Sequence, residues 1–443
     1  MVEIVKMDAV SLPYLHHPAT WATLESGQQV VVVQKPGEVV HLHTVVYVGS
    51  VEETVENAGI SHFLEHLMFK GTARFPAGTF DRLLEGIGGR VNASTAKDIT
   101  QYFVTLPKGA AGESYRLALE LHADMLTDAL LPEEEIGPPF DPSTEPAEKR
   151  ERLVVIEEIK MGKDNPWRQV IATLGEMLYP THPYRREVIG TAEVIATVPA
   201  DTIRAYYRHW YHPGNMVTIL TGDLPPEETV RDVARAFRFA PAAAPHHPQF
   251  PADAPPATPC ARRLTMPLNV GYVALGFLCP SARSLRATIG LDVLSLILGE
   301  GLSSRIHQRL VEQLPNTPFI DAGSTHWTLR DSSNLIAYGI VRPDALQPAH
   351  DALVEQVRLL QHEPPTDAEV RKAVTCLEAQ FAVKAETAAG LSYALADSFT
   401  LLRSPAGYTA YLPILHSLTP DELGRLAAEY LNPDHACAVL LGP

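Results

Sequence analysis

The residues best equipped for chemistry lie together in Gly59-Ile-Ser-His-Phe-Leu-Glu-His-Leu-Met-Phe-Lys-Gly71. At helical spacing, Ile60, Phe63, Leu64, Leu67 and Met68 form one apolar stripe, and His62, Glu65, His66 and Phe69 fall on the opposite side. Two imidazoles at i and i+4 stand one turn apart, close enough to bind one metal ion. Glu65, on the same arc, can reach a water molecule beside that ion. The order is His-x-x-Glu-His, the inverse of the commoner zinc-protease signature. The same residues also read as an exposed helix face carrying two histidines and a salt-bridging glutamate. Asn57 is the expected N-cap of this helix and Gly71 its C-terminal stop.

A catalytic zinc normally takes three protein ligands and keeps one position open, so two histidines require a third donor. The helix expected over 147–161 offers one, within Glu151-Arg-Leu-Val-Val-Ile-Glu-Glu158-Ile. Glu151 and Glu158 are seven apart and share a face, flanked there by Val154 and Val155. Glu157 falls toward Lys149, Arg150 and Lys160, the solvated side. Periodicity therefore makes Glu158 the inward carboxylate, and an ion-paired surface helix is the alternative.

The elements that must position these groups follow from local pattern. β-Branched runs predict strands over 29–33 and 39–48, before the motif helix. A short helix over 80–87 precedes strands at 90–95 and 100–105. Helices are expected over 113–130 and 167–178, and the proline-rich stretch 136–146 is expected to be irregular. Residues 240–259, dense in proline and alanine, read as a linker. Beyond it a strand at 270–277 and a helix at 287–298 restart the pattern. The two halves are repeats. At a constant offset of 220, Asp201 falls on Asp421, Ile203 on Leu423, Pro213 on Pro433, Leu220 on Leu440 and Gly222 on Gly442. This implies a duplicated α+β domain, with a metal-bearing half over 1–237, a linker over 238–262 and a second half over 263–443.

A chain of 443 residues suits two or more domains, and its net charge of −16 excludes nucleic-acid binding, because phosphates would be repelled. The acidity either marks a chamber suited to basic peptides or keeps soluble proteins apart. No run reaches the length of a membrane-spanning helix, and Met1-Val-Glu-Ile-Val-Lys6 lacks a basic region followed by an apolar core. A cytoplasmic protein without membrane attachment is expected. Cys260, Cys279, Cys376 and Cys437 are scattered and read as buried free thiols.

The run from His62 to Thr72 closely resembles the signature of the pitrilysin family of inverzincin peptidases, which includes insulysin, mitochondrial processing peptidase and bacterial relatives of similar length. The duplication resembles that family too. Its members pair two α/β-roll domains, each a mainly antiparallel sheet packed on helices, into half of a clam-like shell. The resemblance implies one Zn²⁺ per chain held by His62, His66 and Glu158, with Glu151 supporting the site. It implies that zinc polarises the scissile carbonyl and acidifies water, while Glu65 takes the proton and passes it to the leaving amine. Asn92, Ala93, Ser94 and Thr95 resemble the family's substrate strand, to which an extended peptide adds by main-chain hydrogen bonds; an ordinary edge strand is the alternative. One departure is the longer gap between His66 and Glu158, taken up by the insertion near 138–146, which can lengthen a loop without moving the helix. Another follows Ser303-Ser-Arg-Ile-His-Gln308. There the family's arginine and, seven residues on, its tyrosine are replaced by Val311 and Pro318. The expectation is a zinc endopeptidase for unstructured peptides, the catalytic subunit of a heterodimer whose homologous, non-catalytic partner supplies the arginine and tyrosine. A self-sufficient homodimer and a non-catalytic structural subunit are the alternatives.

Overall fold

The computed structural model describes residues 3–141, 150–239, 244–312 and 317–443. The chain divides into two compact units, each assembled from separated stretches. The first comprises 1–160, 187–249 and 382–409, and the second 161–186, 250–381 and 410–443.

In the N-terminal half the strands are β1 (Ile4–Val10), β2 (Ala19–Leu24), β3 (Gln29–Gln34), β4 (Val39–Val46), β5 (Arg90–Thr95), β6 (Thr100–Pro107) and β7 (Met216–Gly222). The helices are α1 (Ile60–Leu67), α2 (Thr79–Gly86), α3 (Glu113–Thr127), α4 (Glu133–Ile136), α5 (Glu151–Lys163), α6 (Pro166–Leu178), α7 (Ala192–Thr197), α8 (Ala200–Trp210) and α9 (Pro226–Ala236). The described residues 244–259 contain no helix or strand. Beyond them come β8 (Cys260–Thr265), β9 (Gly271–Cys279), α10 (Leu285–Leu298), β10 (Phe319–Thr328) and β11 (Ser333–Val341). The chain ends with α11 (Leu346–His362), α12 (Asp367–Glu386), α13 (Ala388–Leu402), α14 (Ala406–Ser417), α15 (Pro420–Tyr430) and β12 (Cys437–Gly442). Most expected elements lie within a few residues of these bounds. The sequence pattern leaves out β1, β2, α4, α7, α9, β10, β11 and α11 to α14, and it places the start of β8 inside the expected linker 238–262.

The first unit's sheet has the order β1-β2-β3-β7-β4-β6-β5, and the second's runs β10-β11-β9-β12-β8. Read from its other end, the second repeats β3-β7-β4-β6-β5 strand for strand. Each sheet has one parallel pair, β3 with β7 and β8 with β12, at equivalent places. The offset of 220 relates α8 to α15 and β7 to β12, so the duplication extends from sequence to topology. One exchange accompanies it. Helix α13, from the C-terminal half, packs on β4 and β7, whereas α6, from the N-terminal half, packs on their counterparts β9 and β12. Strand β7 is consequently buried along its whole length, as its unbroken run Met-Val-Thr-Ile-Leu requires. On β9, Gly276 makes room for α6, since a Cβ there would stand 2.9 Å from Leu174 Cδ2.

The first unit's core holds three fully buried histidines. His41 and His43 project from one face of β4 toward Tyr393 of α13, and His122 of α3 meets Thr44. Each ring has one hydrogen-bonded nitrogen, to Thr105, Gln101 and Thr44 respectively, and one buried nitrogen without a partner. Burial pushes His41 down to about 4 and His122 to about 3. His43 falls to about 3, chiefly through burial and then through His41, against the opposing hydrogen bond that its Nε2 donates to Gln101 Oε1. Folded values below the ordinary 6.5 mean that the unfolded chain binds protons first. Stability contributed by the neutral rings is thus complete above pH 6.5 and is lost as pH falls toward 3–4. Each histidine contributes a slope approaching about 1.4 kcal/mol per pH unit. Asp397, which burial raises to about 6, titrates in the opposite sense. The urea midpoint should therefore drop steeply between pH 6.5 and 5; a flat profile there would contradict neutral burial of the three rings.

Candidate metal centre

The motif helix α1 opens at a backbone crossing that only glycine permits. Gly59, its N-cap, has φ +94°, and a Cβ there would lie 2.5 Å from the Ile189 carbonyl oxygen. The expected N-cap, Asn57, instead closes the preceding turn, accepting from Thr54 N–H at 2.6 Å. The capping anion comes from Glu53, buried before the helix. Its carboxylate accepts from Gly59 N–H at 2.7 Å and Ser61 N–H at 2.8 Å, satisfying donors that the helix itself leaves open. Ile60, Phe63, Leu64, Leu67 and Met68 are all buried, so the other face of α1 is fixed in direction. Gly71, at φ +101°, lies beyond the helix end at Leu67 and turns the chain into a bridge with Pro76.

That other face carries His62 and His66, with ring centroids 4.8 Å apart. Glu158 of α5 completes a set. Its Oε2 stands 3.7 Å from Nε2 of His62 and 3.7 Å from Nε2 of His66. Among the described residues, these three are the one group of metal-ligating side chains whose donor atoms all lie within 4.8 Å of one another. Separations of 3.7 Å are too long for hydrogen bonds. Zinc bonds near 2.0–2.1 Å set donors about 3.3 Å apart, so the two carboxylate–imidazole separations need only a small contraction. The donor set therefore fits zinc. Glu157 turns away to Lys160, 2.8 Å off, on the exposed side.

Around the donors lies a charged support. Glu151 Oε2 is 3.3 Å from His66 Nδ1, so a proton on Nδ1 leaves Nε2 free as a ligand. Glu151 Oε1 is held by Lys70 Nζ at 2.5 Å. Burial would raise the Glu151 carboxyl, but hydrogen bonds from His66 and Lys70 outweigh it and hold it below its ordinary value. Burial alone would lower His66; Glu151, Glu158 and Glu65 reverse the sign and raise it. Glu65, on the same arc of α1, accepts a 2.5 Å hydrogen bond from Thr95 Oγ1 of β5. Burial raises Glu65, and the Thr95 hydrogen bond only partly offsets it. Lys70 and the link from Thr95 to Glu65 were not visible in the sequence, since both join residues through space.

Strand β5 ends its sheet and, among the described residues, pairs only with β6, so its other edge is open. The side chains expected to line it have local partners. Asn92 Oδ1 accepts from Ala93 N–H at 2.9 Å, and Ser94 Oγ accepts from Gln101 at 2.8 Å. Along its free side β5 has no strand partner among the described residues.

Helix α5 is pinned by Arg152, among the largest fully buried side chains. Its guanidinium donates to the carbonyls of Gly137 at 2.9 Å, Ile195 at 2.6 Å and Val198 at 2.6 Å, and lies over Phe63 of α1, 5.5 Å from the ring centre. The arginine thus ties the helix bearing Glu158 to the helix bearing the histidines. It also closes the loop between α4 and α5 at its base. Part of the proline-rich insertion, residues 142–149, lies outside the described residues. In the second unit, Val311 lies in a wide-wound turn over His307–Glu312, and Pro318 just precedes β10.

A helix presenting two histidines, a carboxylate facing both and a second carboxylate beside an open strand edge thus meet at one place. Residues 29–192 match the family described as insulinase (peptidase family M16), and 197–377 match the peptidase M16 inactive domain. The zinc protease PqqE of Helicobacter pylori is 30% identical over 434 residues, spanning 95% of this chain and 92% of that protein. A protease from Helicobacter pylori of known crystal structure superposes with a TM-score of 0.84 at 26% identity, covering all of both chains. Pitrilysin shares the fold, with a TM-score of 0.79 at 17% identity over all of this chain and 46% of that one. The chain belongs to the M16 peptidase family. No helix of the described residues is long and apolar enough to cross a membrane.

Proposed function

We propose that the chain is a zinc endopeptidase for unstructured peptide segments, with His62, His66 and Glu158 as ligands of one zinc ion. The observation that carries this reading is the convergence of those three donors within 4.8 Å. Bound zinc would polarise the scissile carbonyl and acidify water. Glu65 acts as the proton carrier, taking a proton from the attacking water and returning it to the leaving amine. Thr95 Oγ1 holds the Glu65 carboxylate in place through its 2.5 Å hydrogen bond. Glu151 sets the His66 tautomer. The main chain of Asn92, Ala93, Ser94 and Thr95 takes an extended peptide as an added strand, which selects unfolded segments over particular side chains. The halves 1–237 and 263–443, joined by 238–262, are the units of duplication.

The chain is, in this reading, the catalytic subunit of a cytoplasmic heterodimer. Support comes from Val311 and Pro318, neither of which can donate a side-chain hydrogen bond to a peptide. The partner is a homologous chain without His-x-x-Glu-His that carries the arginine and tyrosine. Mixing the two chains should raise cleavage of an unstructured peptide library at least about tenfold over this chain alone, the worth of one or two lost hydrogen bonds to substrate. Equal rates for the mixture and for the chain alone, as a homodimer by light scattering, would reject the heterodimer. A purified protein that binds no zinc and cleaves nothing in either form would instead identify a scaffold.

A further inference from the structure

Two of the four cysteines, 177 residues apart in sequence, meet in the second unit. Cys260 opens β8, Cys437 opens β12, and the two are register partners in the parallel pair. Their Sγ atoms are 3.0 Å apart, both as free thiols. Neighbouring strands run about 4.7–4.9 Å apart, inside the span of about 4.4–6.8 Å between Cα atoms that a disulfide bridges. The pair also occupies a weak point of its sheet. Strand β8 is an edge strand whose one strand neighbour among the described residues is β12, and three successive residues, Ala261, Arg262 and Arg263, are exposed. It directly follows the stretch 244–259, which has no regular structure. Strand β12 is fixed on its other side by β9 and is buried throughout.

We propose that Cys260 and Cys437 are a disulfide-forming pair, oxidised by hydrogen peroxide, whose closure staples β8 to the C-terminal strand. Cys260 is the partly exposed sulfur and meets the oxidant first, while Cys437 is buried. Cys260 Sγ attacks one peroxide oxygen, the O–O bond breaks, and the thiol proton leaves with the released hydroxide as water. The sulfur is now a sulfenic acid. Cys437 Sγ then attacks that sulfur. The S–S bond forms, the S–O bond breaks, and the Cys437 proton leaves with hydroxide as a second water. The two sulfurs together lose two electrons to the peroxide. Burial raises the Cys437 thiol, which keeps its proton until this second step. Disulfides that form in reducing compartments are usually transient and sense redox change.

The test uses the full-length chain, treated with hydrogen peroxide or left reduced, then alkylated and mapped without reductant. Denatured samples should fall from four free thiols to two, with the Cys260 peptide linked to that of Cys437. The oxidised protein should melt a few degrees higher, because the cross-link spans a long loop. In Cys437→Ser, the sulfenic acid on Cys260 should persist and react with dimedone; in Cys260→Ser, neither dimedone labelling of Cys437 nor the rise in melting temperature should occur. The double variant Cys260→Ala with Cys437→Ala shows by circular dichroism whether the fold survives removal of the pair. Peroxide that oxidises Cys376 or methionines while Cys260 and Cys437 stay reduced would overturn the proposal. So would a linked form that melts no higher than the reduced one.

Discussion

Glu65→Gln should lower peptide hydrolysis by about 10³-fold or more while zinc content stays near one ion per chain. The substitution keeps the shape of the side chain and removes its ability to accept a proton. Thr95 can still donate to the remaining amide oxygen, so the helix face loses no packing. His62, His66 and Glu158 keep their geometry, because α1 is fixed by five buried apolar residues and by the Glu53 cap, not by Glu65. Activity and zinc content must be measured on one preparation. If activity falls only because zinc is lost, Glu65 is part of the binding set and not the proton carrier. If turnover survives with zinc in place, another group moves the proton.

How far this site was legible depends on which contacts are local. The spacing of Ile60, Phe63, Leu64, Leu67 and Met68 gave the direction of the histidines, because burial of that stripe leaves only one side for chemistry. Glu158 could be told from Glu157 because a helix puts residues seven apart on one face. The Glu53 cap was illegible, since a loop brings its carboxylate to α1 from outside the first turn and Asn57 has the better residue type for the task. Arg152 was hidden for a related reason. Its partners at Gly137, Ile195 and Val198 are backbone carbonyls, which leave no mark in side-chain pattern. The exchange of α6 and α13 was likewise unreadable. Each is an apolar helix whose target sheet lies in the other half of the sequence, and no local signal states which sheet it covers. The thiols of Cys260 and Cys437 read as scattered because parallel pairing of β8 with β12 joins the start of one half to its end.

Glu158→Gln should weaken zinc binding by about 10²-fold or more, whereas Glu157→Gln should leave it unchanged within about twofold. The two residues are neighbours of one type on one helix, so charge and helix propensity change alike in both variants. Only their direction differs. Glu158 Oε2 lies 3.7 Å from both imidazole Nε2 atoms, and Glu157 is paired with Lys160 at the surface. An exposed pair of this kind contributes at most about 1 kcal/mol, so its loss should not disturb α5. The helix is held from its inner side, where Arg152 joins Gly137, Ile195, Val198 and Phe63. Competition with a chelator of known affinity gives the zinc dissociation constant of each variant, independently of activity. Equal loss in both variants would mean that α5 is rotated from the orientation described. Loss in neither would place the third ligand elsewhere and leave Glu158 a bystander facing two histidines.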